Sequence, residues 1–151
     1  MKIIAEDKMK MQTYAIDLLE FQGDQCEDKR LADDELKTYI ETSFSRCRSD
    51  LNKYCVSVHV SVGCNCFKTS FRCAIKLVGS FHIDDDCDSD TKNKLISVSA
   101  PSIVYGIARD KIATLSSLSR IGNRYFLPTV YFQGFDIDKF LDETKQDYEE
   151  E

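Results

Sequence analysis

Between Tyr14 and Ile83 apolar residues recur mostly at every second position, and beyond Pro101 they recur at every third or fourth. A period of two places successive side chains on opposite faces of a strand, whereas a period near 3.6 gathers them on one face of a helix. The chain therefore divides into an extended half and a helical half. The clearest strand sets Tyr54, Val56, Val58, Val60 and Val62 on one face and Cys55, Ser57, His59 and Ser61 on the other. That is the alternation of a sheet with one buried side. After a turn over Gly63 to Lys68, a second long strand sets Phe71, Cys73, Ile75, Leu77, Phe81 and Ile83 against Arg72, Lys76, Ser80 and His82. Two long strands joined by so short a turn must be antiparallel.

Two further strands precede these. Tyr14, Ile16 and Leu18 alternate and then shift parity to Leu19 and Phe21, which predicts a bulge. Leu36, Thr38, Ile40, Thr42 and Phe44 form a more polar strand, reached through the solvated connection GDQCEDKRLADDE. A second acidic break, IDDDCDSDTKNK, separates the sheet from the helices.

In the helical half Ile103, Val104, Ile107, Ala108, Ile112, Leu115 and Leu118 make one apolar stripe. Pro101 suits the first turn of that helix or a kink at its entry, and Arg120 with Gly122 forms a cation-then-glycine ending. Asp136 is placed to cap the last helix, with Phe135 before it and Phe140 four positions into it as a hydrophobic staple. Strands followed by helices predict an α+β fold: a four-stranded antiparallel sheet, then a long helix and a shorter C-terminal helix covering one side of it. Residues 1–151 read as a single domain, with residues 1–10 and 146–151 as flexible ends.

Composition narrows the function. No apolar run approaches the ~20 residues needed to span a bilayer, and MKIIAEDKMK lacks the apolar core of a secretory signal, so a cytoplasmic protein is expected. Seven cysteines in a reducing compartment are expected as free thiols. A net charge of −6 with scattered Lys and Arg disfavours nucleic acid as a partner.

Catalytic chemistry is sparse. The two histidines, His59 and His82, fall on polar strand faces, and no glycine-rich phosphate loop exists, so an enzyme is not expected. The cluster Asp84, Asp85, Asp86, Asp88, Asp90 lacks the central Gly and terminal Glu of a calcium loop and reads as a solvated linker. Cys64 and Cys66 are weak candidates for zinc, with Cys73, Cys87 or His82 as further donors, since tetrahedral zinc needs four. Both continue the parity of the valine face, so they read first as small buried hydrophobes, and no metal or other cofactor is expected.

What remains unusual is aromatic excess: seven Tyr and nine Phe, with Tyr125, Phe126, Tyr131, Phe132, Phe135, Phe140 and Tyr148 in the last quarter. Phe135 and Phe140 are expected to complete the core, whereas Tyr125, Phe126, Tyr131 and Phe132 sit in an aperiodic connection. Exposed apolar surface of that size marks protein-binding sites. The apolar width of the long helix also predicts a homo-oligomer.

The stretch APSIVYGIARDKIATLSSLSRIGNRYFLPTVYFQGFDIDKFL resembles the signature region of the SecB chaperone family. The matching residues are Pro101, Ile103, Tyr105, Ala108-Arg109, Ile112, Leu115, Arg120, Gly122, Leu127-Pro128, Phe132 and Phe135, and the order of elements extends the resemblance from about Met11 to Leu141. The resemblance implies an ATP-independent holdase that binds unfolded client protein. It implies a homotetramer, a dimer of dimers packed through the long helices with Ile103, Ile107, Ile112 and Leu115 at the interface. It implies client contacts at Phe21, Tyr131, Phe132, Ile137, Phe140 and Leu141.

Export chaperones of the family also present acidic residues to the translocation motor SecA. Glu20 and Asp24 match that role, but Cys66, Phe67 and Lys68 stand in the turn where an acidic residue is expected. The chain looks more like the SecB-like chaperones of toxin-antitoxin-chaperone systems, which hold a degradable antitoxin and in some cases serve phage defence. The alternatives are a general export chaperone and, from a different class, a zinc- or ligand-binding α+β domain.

Overall fold

The computed structural model describes residues 8–23, 36–64, 71–118 and 125–149. Four strands come first, β1 (Met9–Gly23), β2 (Leu36–Arg46), β3 (Lys53–Cys64) and β4 (Phe71–Ile83). They pair antiparallel in the order β1-β4-β3-β2. The register explains the choice of central strands. It sets Val58 opposite Leu77 and Val60 opposite Ile75, so the alternating apolar residues of β3 and β4 meet on one face, where all four are buried.

β1 bulges twice, between Met11 and Thr13 and between Ile16 and Leu18. The second bulge lies just ahead of the predicted shift at Leu18–Leu19. Asp17 is the extra residue, and it turns Leu18 out beside Lys76 while Ile16 and Leu19 stay on the inner face opposite Leu77 and Ile75. Leu18 thus does not share a face with Tyr14 and Ile16.

The acidic break is partly helix, not linker. Asp88 accepts a hydrogen bond from the Thr91 backbone N–H at 2.7 Å and caps α1 (Ser89–Lys94). α1 continues through a π-helical turn (Leu95–Ser99) into α2 (Ala100–Leu118), and the three make one helix of 30 residues. Pro101 therefore sits well inside the helix. Proline has no N–H to give to the preceding turn, and the wider π turn ends directly before it, with the Ala100 N–H reaching back to the Leu95 carbonyl. The Ser102 hydroxyl donates to the Val98 carbonyl at 2.6 Å, one turn back. Arg120 and Gly122, the predicted ending, lie outside the described residues.

Against β3 and β4 the long helix buries Ala100, Val104, Tyr105, Ala108 and Ile112. The approach is close enough at Gly79 that a Cβ there would stand 2.9 Å from Val104 Cγ2 and 2.7 Å from Phe81 Cε2. Glycine is what lets the helix seat.

Residues 125–136 then form a strap that runs back along the helix without regular structure, and the helix's own side chains satisfy its backbone. Ser116 Oγ accepts from the Tyr125 N–H at 2.7 Å, and the Tyr105 hydroxyl donates to the Pro128 carbonyl at 2.6 Å. Ser97 Oγ accepts from the Phe135 N–H at 3.2 Å, and Asn93 Oδ1 accepts from the Ile137 N–H at 3.2 Å. Leu127 is driven into the core between these tethers. The strap ends at Asp136, whose carboxylate accepts the Lys139 N–H at 3.1 Å and caps α3 (Ile137–Glu149). Phe135 and Phe140 lie with ring centroids 5.2 Å apart, the staple their spacing predicts. Among the described residues no helix is long and apolar enough to cross a membrane.

Candidate functional site

Among the described residues two apolar regions stay open to solvent. The first is built by the strap and α3. Tyr131 is 89% exposed and Phe126 63%, both on a segment pinned at three points to the long helix, with a fourth at Ile137 where α3 begins. At the end of the strap next to α3, Phe44 of β2, Phe135 and Phe140 make an aromatic trio, with centroids 5.2 Å apart for Phe44–Phe135 and 6.1 Å for Phe44–Phe140, both edge-on. Phe132 packs edge-on against Tyr105 at 6.1 Å.

A charged network fixes the first turn of α3 to this edge of the sheet. Asp138 accepts hydrogen bonds from Arg46 at 3.0 Å, from the Tyr54 hydroxyl at 3.2 Å and from Lys92. Burial works against ionisation of Asp138, but the Lys92 hydrogen bond and the charges of Lys92 and Arg46 outweigh it and hold the carboxyl below its ordinary value. Arg46 also lies over the Tyr54 ring, 5.9 Å from its centroid. One carboxylate thus ties α3 to β2, β3 and α1.

The second region is the inner face of β1. Met11, Tyr14, Ile16 and Leu19 share that face and are each between 36% and 45% exposed, because the long helix seats over β3 and β4. Ile103 is exposed and Ile107 half-buried on the side of the helix roughly 160° around from Tyr105, the residue that holds the strap. The helix stripe therefore divides into a buried part facing the sheet and an open part turned away from the strap.

The residues expected at the client site are split by this arrangement. Tyr131 and Phe132 lie on the strap, Phe132 against Tyr105, and Phe140 follows on α3 against Phe135 and Phe44. Ile137 and Leu141 face inward and are buried in the core, so they support α3 without presenting surface. Phe21 lies on the inner face of β1 opposite Cys73, three strands from the β2 edge where Phe140 meets Phe44, or ~14 Å across the sheet. Of the interface candidates, Ile112 is wholly buried in the protomer's own core, whereas Ile103 is exposed and Ile107 and Leu115 are partly so.

Glu20 is exposed on the outer face of the sheet, opposite Ala74, and Asp24 lies outside the described residues. Cys64 ends β3, while Cys66 and the side chain of Cys64 lie outside the described residues. Among the described residues no three His, Cys, Asp or Glu side chains gather to hold a metal. Burial pushes the Cys73 thiol up to about 11, away from the thiolate that zinc needs.

Sequence reasoning passed over Met11, Tyr14, Ile16 and Leu19 as open surface, and passed over Phe44 and Asp138. The apolar alternation of β1 was visible, but its position at a sheet edge beyond the reach of the helix is a tertiary fact.

Among solved structures the chain is similar to the Mycobacterium tuberculosis Rv1957 SecB-like chaperone in complex with a ChAD peptide from the Rv1956 HigA1 antitoxin. That likeness has a TM-score of 0.58 at 8% identity and covers 82% of this chain and 91% of that chain. A protein of unknown function from Streptococcus agalactiae is also similar, with a TM-score of 0.49 at 11% identity over 80% of this chain and 97% of the other. No family model and no curated protein matches the sequence. The chain has a SecB-like fold, a four-stranded antiparallel sheet followed by a long helix and a shorter C-terminal helix.

Proposed function

We propose that this protein is an ATP-independent SecB-like chaperone of the cytoplasm that holds an aggregation-prone client, foremost the antitoxin of a toxin-antitoxin-chaperone system. The observation that carries this reading is the row of exposed aromatics, Phe126 and Tyr131 on a strap tethered by its backbone to the long helix and Phe140 on the helix that follows it. It is supported by the shared fold with a chaperone whose structure contains an antitoxin peptide. A rigid apolar surface needs no cofactor and no catalysis to hold an extended chain. Burial of apolar client side chains contributes ~25 cal/mol per Å², less the cost of ordering the client. Because the surface is already ordered, that cost falls mainly on the client.

The same reading gives the open side of the long helix, Ile103, Ile107 and Leu115, and the inner face of β1 to contacts between subunits of a homotetramer. Holding an antitoxin for its toxin is the step through which such a protein would serve antiviral defence.

The test is suppression of aggregation by the purified protein, using a chemically unfolded client and, separately, any antitoxin found encoded beside its gene. Wild type is expected to suppress aggregation near stoichiometry, and Tyr131→Ser with Phe140→Ser to lose most of that effect while keeping the sedimentation mass. A wild type that leaves both aggregation curves unchanged overturns the reading.

A further inference from the structure

The outer face of the sheet, turned away from the helices and the strap, carries charge of the opposite sign to the chain as a whole. The register places Lys10, Lys53 and His82 in one cross-strand row, with His82 directly between the two lysines. Lys76 and His59 stand opposite each other in another row, with Glu41 beyond His59. Gln22, Arg72, Gly63 and Lys37 make a third. Against these five fixed cations the paired positions of the face supply two carboxylates, Glu20 and Glu41. Asp17, the bulge residue, has no partner in the register.

Among the described residues, Lys10, Lys37, Lys53, Arg72 and Lys76 take part in no ion pair. Of the three aspartates just past β4, Asp86 is engaged by Lys8 at 3.4 Å and Asp85 by Asn52. One residue separates the cations that share a row, His82 between Lys10 and Lys53 and Gly63 between Arg72 and Lys37, so they spread over the face instead of facing each other. An excess of cations on one face of a protein of net charge −6 also sets up a local field that draws anionic groups to that face alone.

The face has shape as well as charge. Gly63, Ala74 and Ser61 form the floor of an open hollow of about 630 Å³, walled by Arg72, Gln22, Glu20 and Tyr39. Tyr39 is a large aromatic side chain left 66% exposed on this face. The hollow can take one apolar side chain against Tyr39 while a neighbouring carboxylate meets Arg72.

We infer that the outer sheet face is a second docking surface, and that its partner is an extended acidic segment of another protein lying along β4 from Arg72 towards His82. A nucleic acid fits less well. Glu20 and Glu41 interrupt the cations, and the net charge of the chain opposes a continuous phosphate backbone. An acidic peptide has uncharged residues that can sit over Glu20 and Glu41 and hydrogen-bond to Gln22, Ser61 or the Tyr39 hydroxyl. This surface lies on the opposite side of the sheet from the strap, so it stands or falls separately from the holdase reading.

Fluorescence anisotropy of the full chain with three labelled probes tests it: a ten-residue Asp/Glu-rich peptide containing one Phe, a Lys-rich peptide of the same length, and a ten-nucleotide oligothymidine. The acidic peptide is expected to bind alone, with affinity falling about tenfold as salt rises from about 50 to about 300 mM. Arg72→Glu with Lys76→Glu should weaken it by at least about tenfold. The milder Lys10→Gln with Lys53→Gln, which asks less of the sheet, should weaken it about threefold. Phe140→Ser on the other side should leave it unchanged. The inference is overturned if the acidic peptide does not saturate, if either other probe binds as tightly, or if both charge variants, checked by thermal melting, bind as wild type does.

Discussion

Replacing Asp138 with Asn tests whether charge holds the last helix to the sheet. The carboxylate accepts from Arg46 at 3.0 Å, from the Tyr54 hydroxyl at 3.2 Å and from Lys92. Fully buried hydrogen bonds to a charged group contribute ~1.5–3 kcal/mol each. The Asp138 side chain keeps 36% of its surface in water, however, so screening moves these contacts towards the ~0.2–1 kcal/mol of exposed pairs. Three contacts discounted in this way give ~1–2 kcal/mol for the network. In a domain of this size that lowers Tm by ~2–8 °C.

The pH dependence isolates the cause. Asp138 in the fold sits below its ordinary value of 3.8 despite the opposing effect of burial, through Lys92, Arg46 and Tyr54. A depressed carboxyl stabilises the fold above its unfolded value and loses that contribution as pH falls through its folded value. Thermal melts of wild type and Asp138→Asn should therefore differ by the full amount above about pH 5, differ less as pH drops below 3.8, and converge in stronger acid. Other carboxylates titrate alike in both proteins and cancel. A gap of equal size in acid and at neutrality, or no gap at all, refutes the reasoning.

Gly79→Ala should destabilise the protein by ~1–3 kcal/mol in urea unfolding, since its methyl would stand 2.7 Å from the Phe81 ring and 2.9 Å from Val104 with the helix above. Stability that matched wild type would mean the helix sits farther from β4. Ile112→Ala and Ile103→Ser should separate the two sides of the long helix. The first removes a wholly buried side chain and should cost ~2–5 kcal/mol of unfolding free energy, whereas the second, at an exposed position, should lower the mass seen by analytical ultracentrifugation and leave protomer stability nearly intact. An Ile103→Ser protein that keeps its wild-type mass would remove that side of the helix from the interface.

Much of the fold was legible because its signals are local. Tyr54 to Val62 alternate strictly, and the structure buries all five on one face. Asp136, Phe135 and Phe140 carry cap and staple within six residues, and both form. The signal failed where burial was missing. α1 contributes no buried residue, so nothing apolar marked it as helix, and only the Asp88-to-Thr91 spacing of its cap was there to find. The helical stripe was visible, yet a stripe as wide as Ile103 to Leu118 does not say which edge meets the sheet. Ile112 went inward and Ile103 outward because Gly79 sets where the helix seats.

By itself, then, the sequence determined the four antiparallel strands, the long helix, the capped last helix and the surplus of aromatics that had to be placed somewhere, since each follows from periodicity or from contacts a few residues apart. Only the tertiary structure decided which aromatics stay open and which apolar residues are spent on the core. Tyr131 remains exposed because the strap is tethered through its backbone, and Ile137 and Leu141 are buried because Asp138 draws α3 down onto Arg46, Tyr54 and Lys92. The cationic outer face likewise exists only once β1, β2, β3 and β4 are in register, because its lysines and Arg72 come from four separate strands.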